Sequence, residues 1–133
     1  MRSIRLAFAL ALFAFTAAPA LAQGLSPALE SSTPAERAKI QTDLMKEKLT
    51  LTPEQLPKVD ALNLETAKKM EPVLKGSEGP FMKMRSARAI EETKETALKG
   101  MLTPVQFQKF LGSKEAMRDE MEKRLMQKAG STP

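Results

Sequence analysis

The sequence predicts an all-α protein, with about four helices in an extended antiparallel, hairpin-like arrangement behind a cleaved export signal. Three observations predict it. The chain holds three runs of the form T-P-x-[E/Q]: Thr33-Pro34-Ala35-Glu36, Thr52-Pro53-Glu54-Gln55 and Thr103-Pro104-Val105-Gln106. The apolar residues that follow each run recur at spacings of three and four, the helical period. No alternating run of β-branched residues calls for a strand.

The export signal comes first. Arg2 and Arg5 form a basic start, Leu6 to Phe15 an apolar core, and Ala20-Leu21-Ala22 a small-residue cleavage site. The core is far shorter than the roughly 20 residues that a membrane span requires. No Cys follows it, which excludes a lipid anchor, and the two arginines are not adjacent, so a twin-arginine signal is absent. The mature chain is expected to begin at Gln23, in the periplasm, with no stable membrane insertion afterwards. A chain without Cys suits a bacterial periplasm better than a eukaryotic secretory route, where small domains lean on disulfides.

Cleavage changes the composition. The segment 1–22 carries two of the 21 Lys and Arg and none of the 16 Asp and Glu, which leaves 19 against 16, or +3. That bias is too weak to argue for nucleic acid. Phe8, Phe13 and Phe15 also leave, so Phe81, Phe107 and Phe110 are the remaining aromatics. The core must come from Leu, Met and Ala, with no disulfide to reinforce it. Such a core favours an extended helical shape or support from a partner subunit.

The elements follow in order. Residues 23–32 are polar and are expected to form a flexible segment ahead of a single domain at 33–128. Each T-P-x-[E/Q] run is a helix start. The Thr hydroxyl accepts from a free N–H of the first turn, Pro has no N–H to lose there, and Glu or Gln reaches back to the Thr N–H. The first helix runs from Pro34 to about Leu49, with Ala38, Gln41, Leu44, Met45 and Lys48 on one face. The second runs from Pro53 to about Leu74 on Leu56, Val59, Leu62, Ala67 and Met70. Pro57 is tolerable near its first turn, while Pro72 should kink or end it. Gly76 to Pro80 is the clearest loop. Phe81, Met84, Ala87, Ile90, Leu98 and Met101 mark the third helix, which stops near Gly100. The fourth starts at Pro104 and uses Phe107, Phe110, Met117, Met121 and Leu125, with a candidate bend at Gly112. Residues 129–133 are expected to be a flexible tail. Short connections make neighbours antiparallel. The two L-T-P-x-Q copies read as a reused helix start rather than a structural repeat.

Catalysis has little to work with. Without Cys or His, a thiol nucleophile and an imidazole base are both missing, and no phosphate-binding loop is present. Acidic runs such as Glu91-Glu92 and Asp119-Glu120 sit among Lys and Arg at helical spacing, as on a solvated face. Neither an enzyme nor a cofactor is expected. Methionine is the ambiguous feature. Thioethers suit Cu(I), and Met82-x-Met84 or the pair Met117 and Met121 could contribute to such a site. The competing reading is core filling and an adaptable binding surface. Phe81, Met82, Lys83, Met84, Arg85 and Arg88 interleave apolar side chains with cations at the start of the third helix. A binder of unfolded chains wants that mixture, with charge for attraction and Met and Phe for burial. An ordinary amphipathic start, with Phe81 and Met84 inward, is the alternative.

The pair Leu51-Thr52-Pro53-Glu54-Gln55 and Leu102-Thr103-Pro104-Val105-Gln106 resembles the signature of the Spy/CpxP-like periplasmic proteins, which carry two LTxxQ motifs about fifty residues apart. The likeness extends over most of the mature chain, from about Thr33 to Lys128. It implies a bent helical hairpin pairing into a cradle-shaped homodimer. It also implies an ATP-independent chaperone or stress-response protein of the bacterial envelope, binding unfolded or misfolded proteins. Within it, Leu51, Thr52, Pro53, Gln55, Leu102, Thr103, Pro104 and Gln106 are structural, as caps and staples. Two alternatives stay open: a metal-responsive protein, and a regulatory adaptor of an envelope sensor kinase. Metal-sensing relatives use histidine-containing sites, and this chain has no His.

Overall fold

Helix starts organise the chain over residues 26–131, the part that this computed structural model describes. Among the described residues there are five helices and no strand: α1 Pro27–Ser31, α2 Pro34–Leu49, α3 Gln55–Lys75, α4 Pro80–Met101 and α5 Pro104–Gly130. The export signal at 1–22 with its cleavage site, and the last two residues of the expected tail, lie outside the described residues.

All three T-P-x-[E/Q] runs form reciprocal caps. At α2 the Glu36 N–H donates to the Thr33 hydroxyl at 3.2 Å, and the Thr33 N–H donates to the Glu36 carboxylate at 2.9 Å. At α5 the Gln106 N–H reaches the Thr103 hydroxyl at 3.2 Å and the Thr103 N–H the Gln106 amide oxygen at 3.0 Å. The middle run makes the same two bonds, at 3.2 and 3.0 Å. There, however, α3 begins at Gln55, two residues later than the expected Pro53. Pro57 is the reason. It has no N–H for the Pro53 carbonyl, so Pro53 and Glu54 close a turn rather than the first helical turn.

Of the two effects expected of Pro72, a kink or an end, it does not end α3, which closes one residue past the expected Leu74. The helix passes through it to Lys75, because one missing bond is offset by anchors on either side. Leu74 is 3% exposed, and Glu71 is paired with both Arg37 and Lys75. The chain then needs Gly76. A Cβ there would stand 2.6 Å from the Pro72 carbonyl oxygen, closer than any side chain tolerates.

The segment before Thr33, expected to be flexible, is helical and docked over its described part. Leu29 packs with Leu74 and Leu125, and the Arg37 guanidinium donates to the carbonyls of Leu29 and Ser32. One turn with one apolar anchor is below what periodicity can detect. At the other end α5 continues to Gly130, past the expected boundary at 128 and through Gly112.

Packing is uneven. α2 lies against α3 and α5, and α3 lies against α4, but α4 and α5 hardly touch beyond their shared turn. The helices therefore stand in the order α5, α2, α3, α4, an open array with α4 and α5 at its edges. Leu44, Met45, Leu49, Val59, Leu98 and Phe110 form the core, each 2% exposed or less. Leu49, not the expected Lys48, completes the inner face of α2. The motif leucines Leu51 and Leu102 plug the same core, and burial of each contributes about 1.5–3 kcal/mol.

Candidate functional site

The two L-T-P-x-Q turns, more than fifty residues apart in sequence, meet in space. The Gln55 side-chain N–H group donates to the Gln106 amide oxygen at 2.7 Å and to the Met101 carbonyl at 3.2 Å. Gln106 answers with 2.9 Å to the Gln55 amide oxygen, and 3.4 and 3.5 Å to the Leu49 and Thr50 carbonyls. Each Gln thus caps its own helix through its oxygen and ties down the end of the opposite helix pair through its nitrogen. The motifs cap their helices as expected, and their reciprocal contacts also make the two turns one joint. Leu51, Thr52, Pro53 and Gln55 form one side of it and Leu102, Thr103, Pro104 and Gln106 the other. The turns differ in one respect. Thr50 holds a left-handed backbone, φ 53°, while Leu102 is extended.

From this joint α4 and α5 diverge and leave an open groove of about 1430 Å³ floored by α2 and α3. Clefts for small molecules run to roughly 300–1,000 Å³, so the groove can hold one with space to spare. Met70, Leu74, Met84, Met117 and Met121 supply apolar lining. Arg37, Arg85, Arg88, Lys94, Lys114 and Arg118 line it too, against only Glu91 and Glu115.

The residues singled out on α4 divide into two sets. Phe81, Met84, Arg85 and Arg88 line the groove, and Met82 and Lys83 do not. Phe81 is 76%, Met84 51% and Met82 43% exposed, so the first turns of α4 are not an ordinary inward-facing start. The Lys83 ammonium donates to the Leu74 carbonyl at 3.0 Å, where it closes the end of α3. Arg88 pairs with Glu92 one turn on, at 3.1 Å. Among the thioethers weighed as soft ligands, Met117 is buried in the core, while Met82 and Met84 sit exposed on α4.

Six buried polar residues among the described ones were not singled out from sequence, and Arg37, Asn63 and Lys94 bear on the groove. Arg37, 5% exposed, reaches the carbonyls of Leu29, Ser32 and Ala67 and pairs with Glu71. Asn63, 2% exposed, donates to the Thr42 hydroxyl at 3.0 Å, and Thr42 in turn donates to Asp60 at 3.0 Å. Lys94 is 5% exposed and lines the groove. Burial pushes its ammonium down from the ordinary lysine value, Glu91 and Glu95 oppose that, and Lys114 adds to it. Spacing held the signal: Ala87, Lys94, Leu98 and Met101 fall on one helical face, so Lys94 interrupts an apolar stripe.

A family model described as a domain of unknown function (DUF4890) matches residues 22–110, and the chain belongs to that family. The match takes in both L-T-P-x-Q turns and everything between them. No curated protein and no solved structure matches the chain.

Proposed function

For this member of the DUF4890 family, we propose the role of an ATP-independent, chaperone-like or envelope-stress protein of the periplasm. It binds unfolded or misfolded proteins in the groove between α4 and α5 and, as a homodimer, presents two such grooves. The observation that carries the reading is the exposed edge of that groove, where Phe81 and Met84 stand beside Arg85 and Arg88. An unfolded segment offers apolar side chains without fixed shape. Methionine and phenylalanine on an open rim can bury them without demanding complementarity. The cations draw acidic clients from a distance and lose that pull as salt screens them over about 8–10 Å.

The test is an aggregation assay by light scattering on several unrelated clients without ATP. Two variants accompany the parent, Phe81→Ser/Met84→Ser and Arg85→Ala/Arg88→Ala, each checked for helix content. Lys83 is left intact because of its bond to the Leu74 carbonyl. The parent should suppress aggregation, the apolar variant should fail, and the cationic variant should act more slowly and with a weaker salt dependence. A parent inactive against every client ends this reading.

A further inference from the structure

The groove holds a buried cation, Lys94, with no bonded partner among the described residues. Lys94 faces both the large groove and a smaller cleft of about 440 Å³ between α3 and α4. It has neither a hydrogen bond nor an ion pair from its side chain among the described residues. The carboxylates that act on it do so only through space, and one of them, Glu95, is already bonded to Lys114. The other buried cation of the groove, Arg37, is fully engaged with carbonyls and Glu71 except at its Nε. A lysine this largely buried and without a bonded partner is costly and is rarely left so.

We infer that the groove is a binding site for a free fatty acid, with the carboxylate against Lys94 and the acyl chain along Met70, Met84 and Met121. The lining fits an anion, since Arg85, Lys94 and Arg118 have no ion pair among the described residues and face only the carboxylates of Glu91 and Glu115 in that lining. A single buried amine suits a single carboxylate. The depth of the site argues for an acyl chain over a peptide. A peptide brings an N–H and a C=O at every residue, and of the uncharged polar side chains on the floor Asn63 and Thr66 are already bonded within it, to Thr42 and to the Leu62 carbonyl. An acyl chain brings no such groups, and unbranched methionines adapt to its bends. The inference does not rest on the chaperone reading.

Calorimetric titration of the purified protein with dodecanoate, held below its micelle concentration, tests it. Dodecyltrimethylammonium and dodecan-1-ol serve as tails with opposite and neutral heads, and an acidic apolar peptide as a rival ligand. Dodecanoate should bind saturably and at least about tenfold more tightly than dodecyltrimethylammonium. Lys94→Met should cost dodecanoate about tenfold or more and leave dodecan-1-ol unchanged, while Lys94→Arg should retain dodecanoate. Equal affinity for the two charged heads overturns the inference, as does an unaltered Lys94→Met, or Lys94-dependent binding of the peptide alone. Should Lys94→Met lose its helix content, the comparison of head groups on the parent decides. A protein that prevents aggregation but ignores dodecanoate refutes this inference alone. One that binds dodecanoate and prevents no aggregation refutes the chaperone reading alone.

Discussion

The two helix pairs share a joint and differ in how they leave it. α2 and α3 pack closely after the turn at Thr52, whereas α4 and α5 part after the turn at Thr103. The turns themselves are near copies, with the same caps and mutually bonded glutamines. What differs is the facing surface. Leu44, Met45 and Val59 meet between α2 and α3, joined by the bond from Asn63 to Thr42. α4 instead turns Glu91, Lys94 and Glu95 toward the space beside α5, where Lys114 waits. The motif sets the turn, and the helix faces set whether the pair closes.

Buried cations give the sharpest way to break this comparison, since each pair has one and the two should respond with opposite sign. Arg37→Met leaves Glu71 and three carbonyls without their partner and should destabilise the protein by about 3 kcal/mol in urea unfolding, the low end for a broken buried pair because Lys75 still holds Glu71. Equal stability of parent and variant would mean that the closed pair does not depend on Arg37. The shared joint comes next. Gln55→Ala takes one partner from Gln106 and leaves the Thr52 N–H and the Met101 carbonyl without theirs, and should cost about 2 kcal/mol. In a double-mutant cycle with Gln106→Ala, a coupling of at least about 0.5 kcal/mol is expected; strict additivity would show two independent turns. Lys94→Met moves the other way. It removes a buried charge that has no partner to lose, so stability should rise by about 1 kcal/mol.

Acid gives the smallest effect. The Lys128 ammonium and the Thr33 N–H hold the Glu36 carboxyl down at about 2, from an ordinary 4.5. A depressed carboxyl contributes stability that is full above about 4.5 and is lost as pH falls toward 2. The unfolding midpoint should therefore drop over that window, and Glu36→Gln should flatten the drop. Because Glu65 and Glu71 are lowered as well, by Lys69 and by Lys75 with Arg37, the variant keeps a residual slope. An unchanged slope in Glu36→Gln would remove the tie between the start of α2 and the end of α5.

The helices were legible because their starts are written in short-range chemistry. Thr, Pro and Glu or Gln at fixed offsets leave few alternatives, and Leu44, Leu98 and Phe110 fall inward at helical spacing. Pro57 shows the limit of that reading, since its effect reaches four residues back to shift the start of α3. The meeting of the turns could not be read from one motif at a time. Nothing local to Gln55 says that Gln106 stands opposite, and the bond depends on how whole helices pack. The candidate site was half legible. Phe81, Met84, Arg85 and Arg88 were visible as a mixed patch, but the groove beside them is a gap between elements, and sequence describes elements. Lys94 was not singled out, although its place in the apolar stripe of α4 sets it apart.

Thr50 carries a consequence for the order of folding. A β-branched residue in the left-handed region costs about 1–2 kcal/mol, and the amide that meets its carbonyl belongs to Gln106, 56 residues downstream. A chain that emerges N-terminus first thus has the residues of α2 and α3 available while the Thr50 carbonyl still lacks the Gln106 amide. Closing the long intervening loop brings an entropic cost before that support arrives. The first hairpin is then no independent folding unit, and its native turn is gained together with the second in one cooperative step. A nascent chain halted before Thr103 should sample α2 and α3 as fluctuating helices and lock their angle only when the rest of the chain is released.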